Sequence, residues 1–178
     1  MGADFGFTAW GRDVVRIAEP VSARTPNTSA PRARSIARNG GVTLDRSGRQ
    51  ITARIHRGSE ASVAHLEFAA PDPGAVAALR EETGSRTEPD DAVHAALRTR
   101  GLLPALALEA ADCSCRARTT MCVHVLAAVY AVAALVDHEP ATLFTLLSGS
   151  GAEVPSNGPT PRWTPIAALD VRDYWTAR

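Results

Sequence analysis

The sequence predicts an α+β fold built from a small antiparallel β-meander and several helices. Three consecutive short segments between residues 42 and 68 alternate apolar and polar side chains, as half-buried strands do. The flanking segments carry helix start and stop signals, and the stretch 122–137 is apolar on nearly every face, which indicates a buried helix. The 178 residues are enough for one domain, or for one domain with appendages.

Four helices outside that stretch are marked by capping side chains, by proline in the first turn, or by glycine or asparagine at the end. The first helix should run from Thr8 to the stop at Pro20, and the second from Ser29 and Pro31 to Asn39 and Gly40. The third should begin at Asp72 and Pro73 and run to about Glu82, before Gly84. The fourth should begin at Thr87 and Pro89 and run to about Thr99, before Gly101. Residues 20–30, rich in Pro, Ser and Thr, are predicted to form a loop.

The strand-like segments are 42–45, 50–56 and 62–68. Turn signals at Ser47 with Gly48 and at 58–60 separate them, so consecutive strands should pair as a meander.

Residues 106–112 fit a strand or a helix, because Ala and Leu favour helices in isolation. We expect a strand, since the cysteine-bearing loop that follows needs extended backbone. Glu139 and Pro140 should open a last short helix.

All three cysteines lie within ten residues, at Cys113, Cys115 and Cys122, and His124 follows. The pattern is C-x-C-x6-C-x-H. An odd cysteine count disfavours a disulfide framework, whereas sulfur and imidazole are the ligands of structural zinc. The sequence therefore predicts a zinc finger held by these four residues and followed by the buried helix.

The spacing also predicts where the ligands stand. Cys113 and Cys115 project to one side of an extended chain and can hold one ion together. Cys122 and His124 would point about 200° apart on a regular helix. Cys122 should therefore stand at or before the N-cap, with His124 in the first turn. Residues 116–121, here called the knuckle, turn the chain back.

Three other interpretations compete with structural zinc. The cysteines could be inert core residues beside a core histidine. Cys113 and Cys115 could form a redox pair, although the sequence contains no C-x-x-C. A catalytic zinc would need an open coordination position, which four candidate ligands would close. The sequence has no nucleophile elbow, phosphate-binding glycine loop or H-E-x-x-H motif, so we expect no enzyme and no small-molecule substrate.

The finger, the apolar helix directly after it and the segment 126–149 together resemble a SWIM zinc finger, most closely that of small bacterial SWIM-domain proteins. Further similarities are the W-G-R at 10–12, the helix and glycine turn at 34–41, the I-T-A-R-I strand at 51–55, and the late aromatic pair Tyr174 and Trp175. The knuckle lacks the Pro and Trp often seen there, and Val123 stands where Lys is frequent. These departures leave the four ligands intact.

This resemblance implies zinc binding, contacts with DNA or proteins, and no intrinsic catalysis. SWIM modules accompany helicases of the Swi/Snf type, transposases and ubiquitin-ligase-like proteins. The resemblance thus implies that a stand-alone bacterial version works as a partner of such an ATPase.

The sequence predicts three regions along the chain. They are an N-terminal α+β region (1–104), the SWIM-type zinc finger with its helices (105–149), and a linker with a docked aromatic tail (150–178). The Gly, Ser and Pro content of 148–161 is typical of linkers. Residues 162–178 should dock because they are rich in apolar side chains, namely Trp163, Ile166, Leu169, Tyr174 and Trp175.

The formal net charge is zero, with 19 basic residues, all arginine, and 19 acidic ones. This balance argues against a strong polyanion binder. The charges are nevertheless segregated: residues 1–60 carry ten arginines and five acids, and residues 61–112 carry four arginines and nine acids.

Two functions of different classes are consistent with these features. The first is a protein-interaction adaptor in a nucleic-acid-associated complex, whose acidic middle and aromatic tail meet a partner protein. The acidic middle comprises Glu81, Glu82, Glu88, Asp90 and Asp91. The second is a non-specific DNA- or RNA-binding accessory factor of a helicase-type ATPase. Its phosphate contacts would come from Arg116 and Arg118 on the knuckle and from Arg34, Arg38 and Arg54.

The expected location is the cytoplasm. The longest apolar stretch, 123–136, is interrupted by His124 and is shorter than the ~20 residues of a membrane span. The first residues carry no cationic segment ahead of an apolar run.

Overall fold

A computed structural model describes residues 5–57, 60–117 and 119–148. Within these residues the chain forms six helices and four strands. In chain order they are α1 (Ala9–Ala18), α2 (Ala30–Arg38), β1 (Val42–Ser47), β2 (Gln50–Arg57), β3 (Glu60–Phe68), α3 (Pro73–Thr83), α4 (Asp91–Thr99), β4 (Leu108–Cys113), α5 (Val123–His138) and α6 (Thr142–Ser148). The predicted α+β class and the β-meander are confirmed.

The four strands form one antiparallel sheet in the order β1-β2-β3-β4. Ile51, Ala53 and Ile55 of β2 are fully buried, and the alternate residues of this strand point to the opposite face. The segment that fitted either strand or helix is the strand β4. It pairs with β3, so the strand that leads into the cysteine cluster belongs to the same sheet as the N-terminal strands.

Helix α5 is the centre of the core. It contacts α1, α2 and all four strands, and ten of its sixteen residues are buried. A helix surrounded in this way needs apolar side chains on every face, which is the pattern of its sequence.

Two helix starts differ from the prediction. Helix α4 begins at Asp91, where the side chain of Asp90 accepts a hydrogen bond from the N–H of Val93 at 2.9 Å. An Asp at this position caps better than the earlier Thr87 and Pro89, which precede the helix. Helix α6 begins at Thr142 rather than at Glu139 and Pro140.

The segment before α1 is held to the end of α5 by one buried carboxylate. Asp137 is 6% exposed and accepts hydrogen bonds from the backbone N–H groups of Gly6, Phe7 (3.3 Å) and Thr8 (2.9 Å) and from the Thr8 hydroxyl. Thr8 in turn caps α1 by accepting from the N–H of Gly11 at 2.9 Å. The segment before α1 is therefore joined to the last turn of α5 through Asp137.

A second network links α1, α2 and α5. The Tyr130 hydroxyl and the Arg34 guanidinium both donate to the Glu19 carboxylate, with 3.0 Å from Arg34 Nε to Glu19 Oε1. Burial acts to raise the pKa of Glu19, but the hydrogen bonds from Tyr130 and Arg34 outweigh it and lower that pKa below 4.5. Burial, reinforced by the hydrogen bond to Glu19, raises the pKa of Tyr130 to about 12.

Replacing Tyr130 by Phe should lower the free energy of unfolding by about 1–2 kcal/mol, because a hydrogen bond to a charged group is lost. The folded-state pKa of Glu19 is lowered, so its stabilising contribution is present above pH 4.5 and is lost as the pH falls through the lowered value. Urea unfolding of Tyr130→Phe and the parent chain should therefore differ at pH 7 and converge below pH 4.5. An equal difference at both pH values would contradict this role of Glu19.

None of the described helices has the length and apolar character required to cross a membrane. The predicted linker and tail, residues 150–178, lie outside the described residues.

Candidate metal centre

Two elements bring the four candidate ligands together. Cys113 is the last residue of β4, and Cys115 lies two residues further along. Cys122 is the N-cap of α5, and His124 stands in the first turn of that helix. The positions predicted for Cys122 and His124 are confirmed.

The ligand atoms of Cys113, Cys115, Cys122 and His124 all lie within 4.8 Å of one another. The distance from Cys113 Sγ to His124 Nδ1 is 3.8 Å. Zn–S bonds of about 2.3 Å and Zn–N bonds of about 2.0 Å in a tetrahedron place ligand atoms about 3.5–3.8 Å apart. The ligand types are those of zinc, and the four ligand atoms lie close enough together to bind one metal ion.

Local structure explains why the ligands face one another. Cys113 lies opposite the buried Ala64 in the sheet and thus points to the same face as the core. The Cys122 side chain accepts from the N–H of Val125 at 3.5 Å, which closes the first turn of α5 around the sulfur. A thiolate at this position is also favoured by the positive end of the helix dipole.

Ser114 is a positioning residue that the sequence analysis missed. Its backbone N–H donates to the carbonyl of Val63 at 2.9 Å, and its hydroxyl accepts from the N–H of Val63 at 2.9 Å. These bonds continue the β3–β4 ladder past Cys113 and fix the turn to Cys115. The signal in the sequence is a single serine between two cysteines, which gives no indication of the strand it binds.

The knuckle is also attached to the loop between α1 and α2. The side-chain amide of Asn27 donates to the carbonyl of Met121, next to the ligand Cys122, at 3.3 Å. This contact joins residues far apart in sequence and had no local signal.

Burial and the proximity of the three sulfurs oppose loss of the cysteine protons when no cation is bound. Burial raises the pKa of the Cys113 thiol to about 12, and the sulfurs of Cys115 and Cys122 add to the effect. The backbone N–H of Ala117 lowers the pKa of Cys115. Three thiolates at such close range repel one another, and a divalent cation compensates that charge.

The predicted phosphate-contact arginines occupy different surfaces. Arg34 is paired with Glu19, and the guanidinium of Arg38 lies 5.3 Å from the ring centre of Phe5. Arg54 is exposed on the sheet face turned away from the core, whereas the metal ligands lie on the core side. Arg116 is exposed on the knuckle, and Arg118 lies outside the described residues.

The acidic middle is partly used within the chain. Glu82 pairs with Arg100 at 3.0 Å, Asp90 caps α4, and Asp91 accepts from the N–H of Ala9 at 2.8 Å. Glu81 and Glu88 are exposed. Within the described part of the chain, these two carboxylates form no hydrogen bond or ion pair and face solvent.

No family model matches this chain, and comparisons with curated proteins and with solved structures found no match. The SWIM resemblance therefore rests on the residues that carry it in the sequence. The structure supplies a Cys3His cluster, which many unrelated folds also use for zinc.

Proposed function

We propose that this chain is a non-enzymatic zinc-binding protein of the SWIM type that works as a protein-interaction adaptor in a nucleic-acid-associated complex. The observation that carries the proposal is the convergence of Cys113, Cys115, Cys122 and His124 within 4.8 Å. Zinc at these residues joins the edge strand β4 to the core helix α5. The metal thus stabilises the surface that the adaptor presents.

A structural zinc is favoured over a catalytic one by the ligand count. A catalytic site keeps one coordination position for water, whereas three sulfurs and one imidazole complete a tetrahedron. The close approach of all four side chains also favours zinc over a separate Cys113–Cys115 redox pair.

Three features favour a protein partner over direct binding of nucleic acid. The net charge is zero. Arg34 and Arg38 are engaged within the chain, and Arg54 lies on a different face from the knuckle. Glu81 and Glu88 provide exposed acidic groups near the end of α3. Such a surface fits a basic segment of a partner protein, for example of a helicase-type ATPase.

Direct nucleic-acid binding is the second candidate function, and the observation that favours it is the exposed Arg116 beside the metal ligands. Contacts from this residue and Arg118 would be made to phosphates and would not specify sequence.

A gel-shift titration at low salt separates the two functions. The adaptor proposal expects no shift of duplex DNA or RNA. The alternative expects weak binding in which log K falls by ~0.9 per phosphate neutralised on duplex DNA as log salt rises. In that case Arg116→Ala with Arg118→Ala should flatten the slope by about two units. Arg12→Ala with Arg98→Ala is the control, because it removes the same charge from exposed positions on α1 and α4.

A positive result for the adaptor needs a defined partner. The full chain should retain a co-purifying protein that is lost with Glu81→Lys and Glu88→Lys, or with Tyr174→Ala and Trp175→Ala, but kept in the Arg12→Ala and Arg98→Ala control. Salt-dependent DNA binding by the parent chain, removed by the knuckle variant alone, would overturn the adaptor proposal in favour of the alternative.

A further inference from the structure

We propose that a peroxide oxidises Cys115 and Cys122 to a disulfide, and that this reaction releases the metal ion from the cluster. The inference rests on the proposed zinc binding and adds redox regulation to the same site. It differs from a separate redox pair because both cysteines are metal-ligand candidates in the reduced chain.

The cluster holds three sulfurs at a distance from which a disulfide can form. The Sγ atoms of Cys113, Cys115 and Cys122 lie within 4.8 Å of one another, and all three cysteines are free. An S–S bond is about 2.05 Å long, so any pair closes with a movement of no more than about 3 Å. A residue outside the sheet and the helices can supply a movement of this size.

The position of each cysteine in the fold selects the pair. Cys113 is fixed in the sheet opposite Ala64. Cys122 is fixed at the N-cap of α5, where its sulfur accepts from the N–H of Val125 at 3.5 Å. Cys115 follows the end of β4 and belongs to no helix or strand, so it is the residue that moves.

The partner of Cys115 is Cys122 rather than Cys113. The Cα atoms of residues two apart on an extended chain are separated by about 6.6–7.2 Å, at or beyond the upper limit of about 6.8 Å for a disulfide. Cys122 is reached across the turn of the knuckle instead, and its Sγ lies in the same cluster.

A small cavity gives a peroxide access to the cluster. Its volume is about 220 Å³, and Cys113, Cys115, Thr119 and Thr120 are among its lining residues. Cys122 does not line it and is 2% exposed. A water molecule occupies about 30 Å³ in the liquid, so the cavity holds several molecules of the size of hydrogen peroxide. It is smaller than the about 300–1,000 Å³ of pockets for larger ligands, so it favours a small oxidant.

The reaction proceeds in two steps. The Cys115 thiolate attacks one oxygen of hydrogen peroxide, the O–O bond breaks, and a sulfenic acid and hydroxide form. The Cys122 thiolate then attacks the Cys115 sulfur, the S–S bond forms, and the S–O bond breaks with loss of a second hydroxide. In sum, two thiolates, one peroxide and two protons give one disulfide and two waters, and the peroxide takes up the two electrons that the sulfurs lose.

Oxidation would loosen the junction between β4 and α5. The oxidised chain keeps only Cys113 and His124 as ligands, whereas a structural zinc site needs four. The disulfide closes only the segment 115–122, so it does not replace the link from Cys113 at the end of β4 to His124 in α5. The knuckle, with the exposed Arg116, would therefore change its attachment to the core with the redox state.

Peroxide treatment of the zinc-loaded full chain tests the proposal. Hydrogen peroxide is added in molar excess, a chromophoric chelator measures the released zinc, and mass spectrometry of peptides maps the disulfide. We expect one Cys115–Cys122 disulfide for each zinc released. Dithiothreitol with added zinc should restore the reduced, loaded chain, because a disulfide is reversible.

A variant of the cavity tests the route of the oxidant. Thr120→Trp fills the cavity and leaves all four ligands in place, so it should slow zinc release by peroxide several-fold. Ala105→Trp is the matched control, because it adds the same side chain at an exposed position that does not line the cavity, and it should release zinc at the parent rate. Zinc content before treatment shows that each variant has an intact site.

Several results would overturn the proposal. They are a Cys113–Cys115 disulfide, a disulfide between two chains, irreversible oxidation of Cys115 without a disulfide, and equal release rates for Thr120→Trp and Ala105→Trp. A chain that binds zinc but keeps both its zinc and its thiols under peroxide would refute the redox inference alone. A chain that never binds zinc would instead contradict the proposed function, and the metal release with it.

Discussion

Purified protein should contain one zinc per chain, and removal of that zinc should unfold more than the knuckle. Cys113 is the last residue of β4, which pairs with β3. Cys122 and His124 stand at the start of α5, and this helix contacts all four strands and both N-terminal helices. In free zinc-finger peptides the metal contributes ~10–16 kcal/mol apparent at neutral pH. The pre-existing core reduces this dependence, so we expect partial unfolding and a clearly lower melting temperature.

The ligand variants test the metal site directly. Cys115→Ser should lose zinc in elemental analysis and should melt like the chelated parent chain. Thr120→Ser changes an exposed knuckle residue that is not a ligand, and it should retain one equivalent. Zinc retained by a chain that lacks both Cys113 and Cys115 would refute the site, and a melting curve unchanged after complete removal of zinc would refute its structural role.

Zinc affinity should decrease as the pH is lowered. The ligands bind as thiolates and neutral imidazole, so binding releases protons, and burial raises the pKa of Cys113 to about 12. A competition titration with a chromophoric chelator at pH 6 and at pH 8 should show weaker binding at the lower pH.

Replacement of Gly11 by Ala should destabilise the protein by about 2–4 kcal/mol, although Gly→Ala within a helix ordinarily stabilises by about 0.5–1 kcal/mol. A Cβ at Gly11 would lie 2.7 Å from Asp137 Oδ2 and closer still to the other two carboxylate atoms. Asp137 is held by four hydrogen bonds from residues 6–8, so it cannot move aside without breaking them. The added methyl group therefore removes buried hydrogen bonds.

A double-mutant cycle isolates this mechanism. Asp137→Ala alone should cost a similar amount, because three backbone N–H groups lose their acceptor. In the Asp137→Ala background Gly11→Ala should cost nothing or stabilise by about 0.5–1 kcal/mol, since the clash is gone. Urea unfolding of the four chains measures the coupling. Additive costs would show that Gly11 is required for a reason other than Asp137.

Most of the local structure could be predicted from the sequence. The meander was predicted from the alternation of apolar and polar side chains, as at the buried positions 51, 53 and 55. Helix α1 was predicted from its N-cap Thr8. The N-cap position of Cys122 was predicted because two ligands two residues apart cannot both face one ion from a regular helix. These features depend on neighbours within a few residues, which a single sequence displays directly. The start of α4 was predicted too early, because the free energies with which Thr87 and Asp90 can cap a helix differ only slightly.

The sequence by itself determined the identity of the four metal-ligand candidates and the elements that carry them. Only the tertiary structure decided that Asp137 binds the segment before α1, that Tyr130 and Arg34 share Glu19, and that Ser114 fixes the ligand turn to β3. It also separated Arg54 from Arg116, which the charge pattern had grouped together. The physical reason is the range of the contacts. Periodicity and capping act within a turn or a strand, whereas these pairs are joined across up to 131 positions by the packing of whole elements, and that packing has no local signature.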